Sequence, residues 1–266
     1  MFIVIFKKSG NPLILSSNSF VLNMDIYLYD GSFEGFLTAV FEAYKKGGVI
    51  RKENTFVPDM FATTIKVETD LLKADRVWAG LSKKLSADGL HQYFSAFLSQ
   101  LEVIEDQLLS YTRHVFENQI SVERDFGNAF VLFVAQTARK VHREKHRMEA
   151  FVRFQLTKDG IYFSLVSPDY NVLPLIIKHF KDRYADQRWM IYDRARNYGI
   201  YYDLEKVDIV WMEMDKQEDI WVENEADYQA LWQTYYKGAN IASRVNRKLQ
   251  LQHMPKRYWK YLPELR

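Results

Sequence analysis

The apolar residues of this chain change their spacing partway along, and that change limits the folds open to it. Phe33, Phe36, Leu37, Val40, Phe41 and Tyr44 recur every three or four positions, one stripe of a helix that Ser32 opens and Gly47-Gly48 closes. Helical spacing continues at about 70–85, 88–99 and 101–116, then from Arg124 to His146, where Phe126, Phe130, Phe133, Val134, Thr137 and Val141 share a side. Ile26 to Tyr29 and residues 61–69 read as strands among these helices. From Phe151 the pattern turns to alternation. FVRFQLT and IYFSLV, on either side of Gly160, read as a hairpin over 151–166; LPLIIKHF returns to helix; RWMIYD, GIYYDL and KVDIVWMEM are strands. The expected class is α+β: a helical N-terminal half packed with a mostly antiparallel ββαβββ sheet region and a C-terminal helical tail. DYQALWQTYYK, ANIASRVNRKLQL and the YWKYL that follows Pro255 supply that tail.

No repeat and no Pro/Gly/Ser-rich linker interrupts this order, so residues 24–266 are expected to form a single α+β domain. Residues 1–23 read as an N-terminal extension upstream of a start at Met24, where the cleaner pattern begins. They lack the apolar stretch and small-residue cleavage site of a secretory signal. Hydrophobic residues make up 48% of the chain and Gly plus Pro only 17 of 266, which excludes disordered and collagen-like classes. The apolar runs Met1 to Phe6 and Ala129 to Ala135 fall far short of the ~20 residues a membrane helix needs, so no membrane partner is expected. Cysteine is absent, which removes disulfides, thiolate metal sites and any iron–sulfur cluster held by this chain. A cytoplasmic protein without a cofactor of its own is the expectation.

Net charge is only +2, but the charge is unevenly placed. Residues 137–154 hold six bases and two acids, 178–198 six and three, and 239–266 seven and one. Between the last two, residues 199–227 carry ten acids against two bases. Three basic blocks brought together would attract phosphates; scattered, they are an ordinary surface of mixed sign.

Arg139, Lys140, Arg143, His146 and Arg147 project to one side of a helix, opposite its apolar side. Such a comb suits a row of phosphates, each Arg offering a bidentate charge-assisted pair, or is simply a solvated face. His142 and His146 are spaced like metal ligands, but HREKH is not HExxH, and no metal site is expected. Arg153, placed in a strand, requires a partner on the sheet face, with Asp169, Asp193 or an external anion as candidates. His179 with Arg183 makes an i, i+4 pair; Asp193 with Arg194 and Arg196 is either a ligand-binding cluster or a turn-capping ion pair. In the tail, Arg244, Arg247, Lys248, Lys256, Arg257 and Lys260 interleave with Tyr258, Trp259 and Tyr261. Cations beside planar rings suit single-stranded nucleic acid, though a docked terminal helix has the same look. No P-loop, dinucleotide fingerprint, nucleophile elbow or EF-hand loop is present.

MDIYLYDGSFEGFLTAVFEAY, KADRVWAGL, VHREKHRMEAFVRF, SPDYNVLPLIIKHFKDRYADQRWMIYDRARNYGIYYD and RVNRKLQLQHMPKRYWKYLPE together resemble a bacterial family of DNA-metabolism proteins whose biochemical activity is unassigned. Glu144, His146, Arg147, Arg153, His179, Phe180, Arg183, Trp189, Asp193, Arg244, Asn246, Pro255 and Trp259 carry the likeness. The resemblance implies a gene neighbour, a radical-SAM protein acting on DNA, and relatives fused to uracil-DNA-glycosylase-like domains. It implies a DNA repair or modification accessory that binds nucleic acid and works with the radical-SAM partner. Arg139, Arg143, Arg147, Arg153, Arg183, Arg196, Arg244, Asn246, Arg257 and Trp259 would then form the nucleic-acid surface. The alternatives are an enzyme acting on damaged or modified nucleotides, with Glu144, His146 or Asp193 moving protons, and a scaffold whose acidic run docks the partner.

Overall fold

The computed structural model describes residues 3–6, 12–15, 25–57, 63–212, 229–231, 233–234 and 247–265. No helix among them is long and apolar enough to cross a membrane. The class is α+β, as the two apolar periods require. The chain divides into two compact units, residues 1–138 and 139–266.

In the first unit β1 (Ile3–Phe6) pairs antiparallel with β2 (Pro12–Leu15). Next, β3 (Ile26–Tyr29), α1 (Phe33–Lys46), β4 (Val49–Lys52) and β5 (Thr64–Lys66) build a parallel three-stranded sheet in the order β4-β3-β5. Strands β3 and β5 lie where strands were expected, and β4 is an addition to them. The residues of β4, Val49-Ile50-Arg51-Lys52, do not alternate, while α1 is the crossover that parallel pairing of β3 and β4 demands. The Ser32 hydroxyl accepts from the Gly35 N–H at 2.9 Å, fixing the start of α1. Helices α2 (Leu71–Ser82), α3 (Ala87–Phe97) and α4 (Ile104–Glu117) stand close to their expected places.

Helix α5 (Ala129–Phe151) begins later and ends later than its apolar pattern suggested. Asn128 Oδ1 accepts from the N–H groups of Phe130 and Val131 at 2.9 and 3.3 Å and so opens the helix, leaving Phe126 outside it and 51% exposed. The buried stripe is Val131, Val134, Ala138, Val141 and Met148, with Thr137 and Glu144 inside it.

The second unit adds β6 (Gln155–Leu156), β7 (Tyr162–Val166), α6 (Leu173–Arg183), β8 (Trp189–Asp193), β9 (Tyr198–Tyr202) and β10 (Val207–Trp211). Helix α7 (Arg247–His253) and a 3-10 helix, Lys256–Tyr261, follow. The sheet runs β10-β9-β8-β7-β6, antiparallel except for β7 and β8, which α6 joins as a crossover. The expected strand over 151–157 is corrected to two residues, because α5 continues through Phe151. Side chains directly across a ladder share a face, so Trp189 and Ile191 of β8 lie beside Tyr202 and Ile200 of β9. Val141 and Met148 of α5 and Leu173, Ile176 and Phe180 of α6 pack into one core with them. Each such side chain contributes about 1.5–3 kcal/mol by leaving water. The same register sets Asp193 on that covered face, between Val166 and Tyr198 at the carboxyl ends of the parallel pair.

Candidate nucleic-acid interface

Where β7 and β8 end, residues 167–172 must turn into α6, and their backbone groups need partners. Asp193, fully buried, accepts from Arg196 at 2.8 Å and from the Ala195 N–H at 2.9 Å. Arg196 in turn donates to the carbonyls of Pro168 at 3.1 Å and Asp169 at 3.2 Å. Burial raises the Asp193 carboxyl above the usual aspartate range, against the pull of the Arg196 ion pair and the Ala195 and Arg196 N–H donors. Tyr198 donates its hydroxyl to Asn171 in the same loop. Thus the Asp193 cluster is a turn-capping pair that also pins the β7–α6 loop.

Glu144 meets the loop from α5. Its Oε1 accepts from the Asp169 N–H at 2.9 Å and from the Tyr258 hydroxyl. Its Oε2 faces Arg257 at 3.2 Å and Arg147 at 3.4 Å, while Arg257 also reaches Asp169 at 2.7 Å. Burial would lower the Arg257 guanidinium, but the adjoining Tyr258, Glu144 and Asp169 hold it above its ordinary value. Burial, then the hydrogen bond to Glu144, push the Tyr258 hydroxyl upward. A buried carboxylate facing two guanidinium groups holds both arginines in a set orientation.

Beside this network lies a cavity of about 580 Å³ lined by His142, Arg143, His146 and Arg147 from α5, with Gln252, His253 and Met254 from the tail. No carboxylate is among the described residues lining it. Arg139 and Lys140 extend the exposed row one turn earlier. Segments of two of the three basic blocks therefore line one concave surface, the cations of its wall coming from α5, while Arg257 of the tail meets Arg147 at Glu144 beside it.

The remaining predicted contacts are distributed otherwise. Arg153 lies between α5 and β6, not in a strand, and Glu264, which was not among its expected partners, accepts from Nε and a terminal nitrogen at 3.1 and 2.8 Å. It also donates to the Ala150 carbonyl at 2.7 Å, which closes α5. Arg183 stays at the end of α6, its guanidinium 5.7 Å from the Tyr184 ring centre. Trp259 donates its indole N–H to the Met254 carbonyl at 2.9 Å, fastening the tail helices together. His146 is exposed, with Glu149 3.6 Å away, and His179 sits 3.9 Å from that same carboxylate. Of the three candidate proton-transfer groups, His146 alone lines the cavity; Glu144 and Asp193 direct their oxygens to protein partners. Arg244, Asn246 and the acidic run beyond Met212 lie outside the described residues.

Sequence reasoning missed Glu264, although it is the lone acid among seven bases in residues 239–266, a signal of an internal ion pair. It also missed His253, which no local motif marks, and Tyr258 as the partner of Glu144, a contact across 114 positions.

A family model described as a domain of unknown function (DUF4130) matches residues 102–264. No curated protein and no solved structure matches the chain.

Proposed function

The chain belongs to the DUF4130 family of unassigned activity, and from that premise we propose that its second unit binds single-stranded nucleic acid through the cavity between α5 and the tail. The observation that carries this reading is a concave space with Arg143 and Arg147 of α5 on one side and Gln252, His253 and Met254 of the tail on the other, far apart in sequence, with no described carboxylate in its lining. Arg143 and Arg147 supply forked donors for consecutive phosphates, and Arg139 lengthens the track. Phe151 and the histidines give the cavity planar surfaces on which an unpaired base can stack. DNA as the polymer, repair or modification as the setting, and a radical-SAM protein as the partner that performs the chemistry rest on the family resemblance. In this reading the chain is an accessory that holds the strand, and Glu144 is a positioning residue for Arg147 and Arg257.

The test is a salt titration of the full chain with a fluorescent single-stranded oligonucleotide. Affinity should fall steeply between 50 and 200 mM salt, by roughly 0.7 log unit per log unit of salt for each phosphate contacted. An Arg139→Ala/Arg143→Ala variant should bind more weakly and lower that slope by up to about 1.4. Binding undetectable at 50 mM salt, or a slope unmoved in the variant, removes the proposal.

A further inference from the structure

The first unit holds a second cavity that the nucleic-acid reading does not use. It measures about 640 Å³ and is lined by α1, α2 and α4, a size that suits a small ligand. Its composition is unusual for a surface hollow. Phe41, Tyr44 and Phe116 provide its rings, Val40 and Val77 fill between them, and five basic residues stand against a single acid, Glu42. That acid is already engaged, 2.7 Å from Lys73.

Three details show the rings and cations are arranged together. Tyr44 and Phe116 meet edge to face with centroids 5.5 Å apart, so their planes are set by each other. Phe116 can lie against α2 only because residue 80 is glycine: a Cβ there would stand 3.0 Å from the ring. The Arg76 guanidinium rests 5.3 Å from the centre of Phe41, a cation–π contact between the rim and the wall. Lys45 and Lys83 complete the rim, while Lys84 is bound at 2.8 Å to the Asn118 carbonyl.

A hollow with aromatic walls and a cationic rim selects a ligand with a planar apolar body and an anionic end. We propose that this cavity binds a planar aromatic anion, of which a nucleoside monophosphate is the simplest biological form, with the base among Phe41, Tyr44 and Phe116 and the phosphate at Arg76 and Lys83. The cavity shares no lining residue with the α5 surface, and each proposal can fail without the other.

Titration calorimetry of the full chain with AMP tests it. AMP should bind saturably at one site per chain, with adenosine and inorganic phosphate each at least tenfold weaker. Arg76→Gln/Lys83→Gln should weaken AMP at least tenfold while the thermal melt and oligonucleotide binding stay as they were. Phe41→Leu, which keeps apolar volume and removes the ring, should weaken AMP severalfold and leave phosphate unaffected. The proposal is overturned by no saturable AMP binding at millimolar concentration, by binding that the double variant does not move, or by inorganic phosphate or decanoate binding as tightly as AMP.

Discussion

Each unit ends a parallel strand on an aspartate, and the two carboxyls behave oppositely. Asp30, after β3, is exposed and accepts from the Ser32 N–H at 2.8 Å, the Ser32 hydroxyl at 2.6 Å and the Thr69 hydroxyl at 2.8 Å. Partial burial raises its pKa, but these donors outweigh it and hold the carboxyl below the usual range. Asp193, the last residue of β8, has donors of its own and a full cation besides, yet its pKa is raised. The difference is water. On the covered face of a sheet, desolvation of the charged form exceeds what one arginine and two amide donors return. An ion pair in that position secures geometry, here the β7–α6 loop, more than it adds stability.

The contrast is broken most severely by removing the cation. Arg196→Met strands a buried carboxylate and frees two loop carbonyls, and should cost about 3–5 kcal/mol in urea unfolding. Asp193→Asn keeps the shape and an acceptor for the Ala195 N–H, while Arg196 retains the Pro168 and Asp169 carbonyls. A smaller loss is expected, about 1–2 kcal/mol. Equal losses in the two variants would show that the pair, not the stranded charge, sets the energy.

The same contrast explains what the sequence discloses. Residues that act through their neighbours in the chain were legible: the stripe of α1, the comb on α5, and the Asp193–Arg196 pair, three positions apart. Fold class followed from periodicity because burial of a face imposes a period wherever an element is long enough. It failed at β4, whose Val49-Ile50-Arg51-Lys52 does not alternate, and at β6, which spans two residues. Contacts closed by the tail were not legible, since nothing local to Glu144 or Arg153 points to Tyr258 or Glu264, over a hundred positions away. Arg153 is the clearest case. Its charge demanded a partner, which the sequence disclosed, but the choice depended on whether residue 153 continued a strand or ended a helix.

On the exposed side the stakes are lower. Asp30→Ala removes three accepted bonds at the entry to α1, but water replaces them and the Ser32 cap on Gly35 survives, so about 0.5–1 kcal/mol is expected from the same unfolding measurement. A loss above 3 kcal/mol would mean that the β3–α1 turn depends on this carboxylate as heavily as the β7–α6 loop depends on its own.

The finest test leaves the chain unaltered. Two amide protons report the two carboxyls directly: Ser32 N–H donates to Asp30, and Ala195 N–H donates to Asp193. Followed by nitrogen–proton NMR from pH 6 downward, the Ala195 signal should titrate with a midpoint above about 3.9 and the Ser32 signal below it. The signs carry over to stability. Stabilisation from Asp30 is complete above about pH 3.9 and is lost as pH falls through its lowered folded value. For Asp193, whose folded pKa is raised, the contribution is greatest below about pH 3.9 and declines as pH rises through that value. Acidification from pH 6 should therefore strengthen the loop that Asp193 anchors before it weakens the turn that Asp30 anchors. Coincident midpoints would mean that burial and hydrogen bonding cancel at both strand ends, and the distinction between the two carboxyls would collapse.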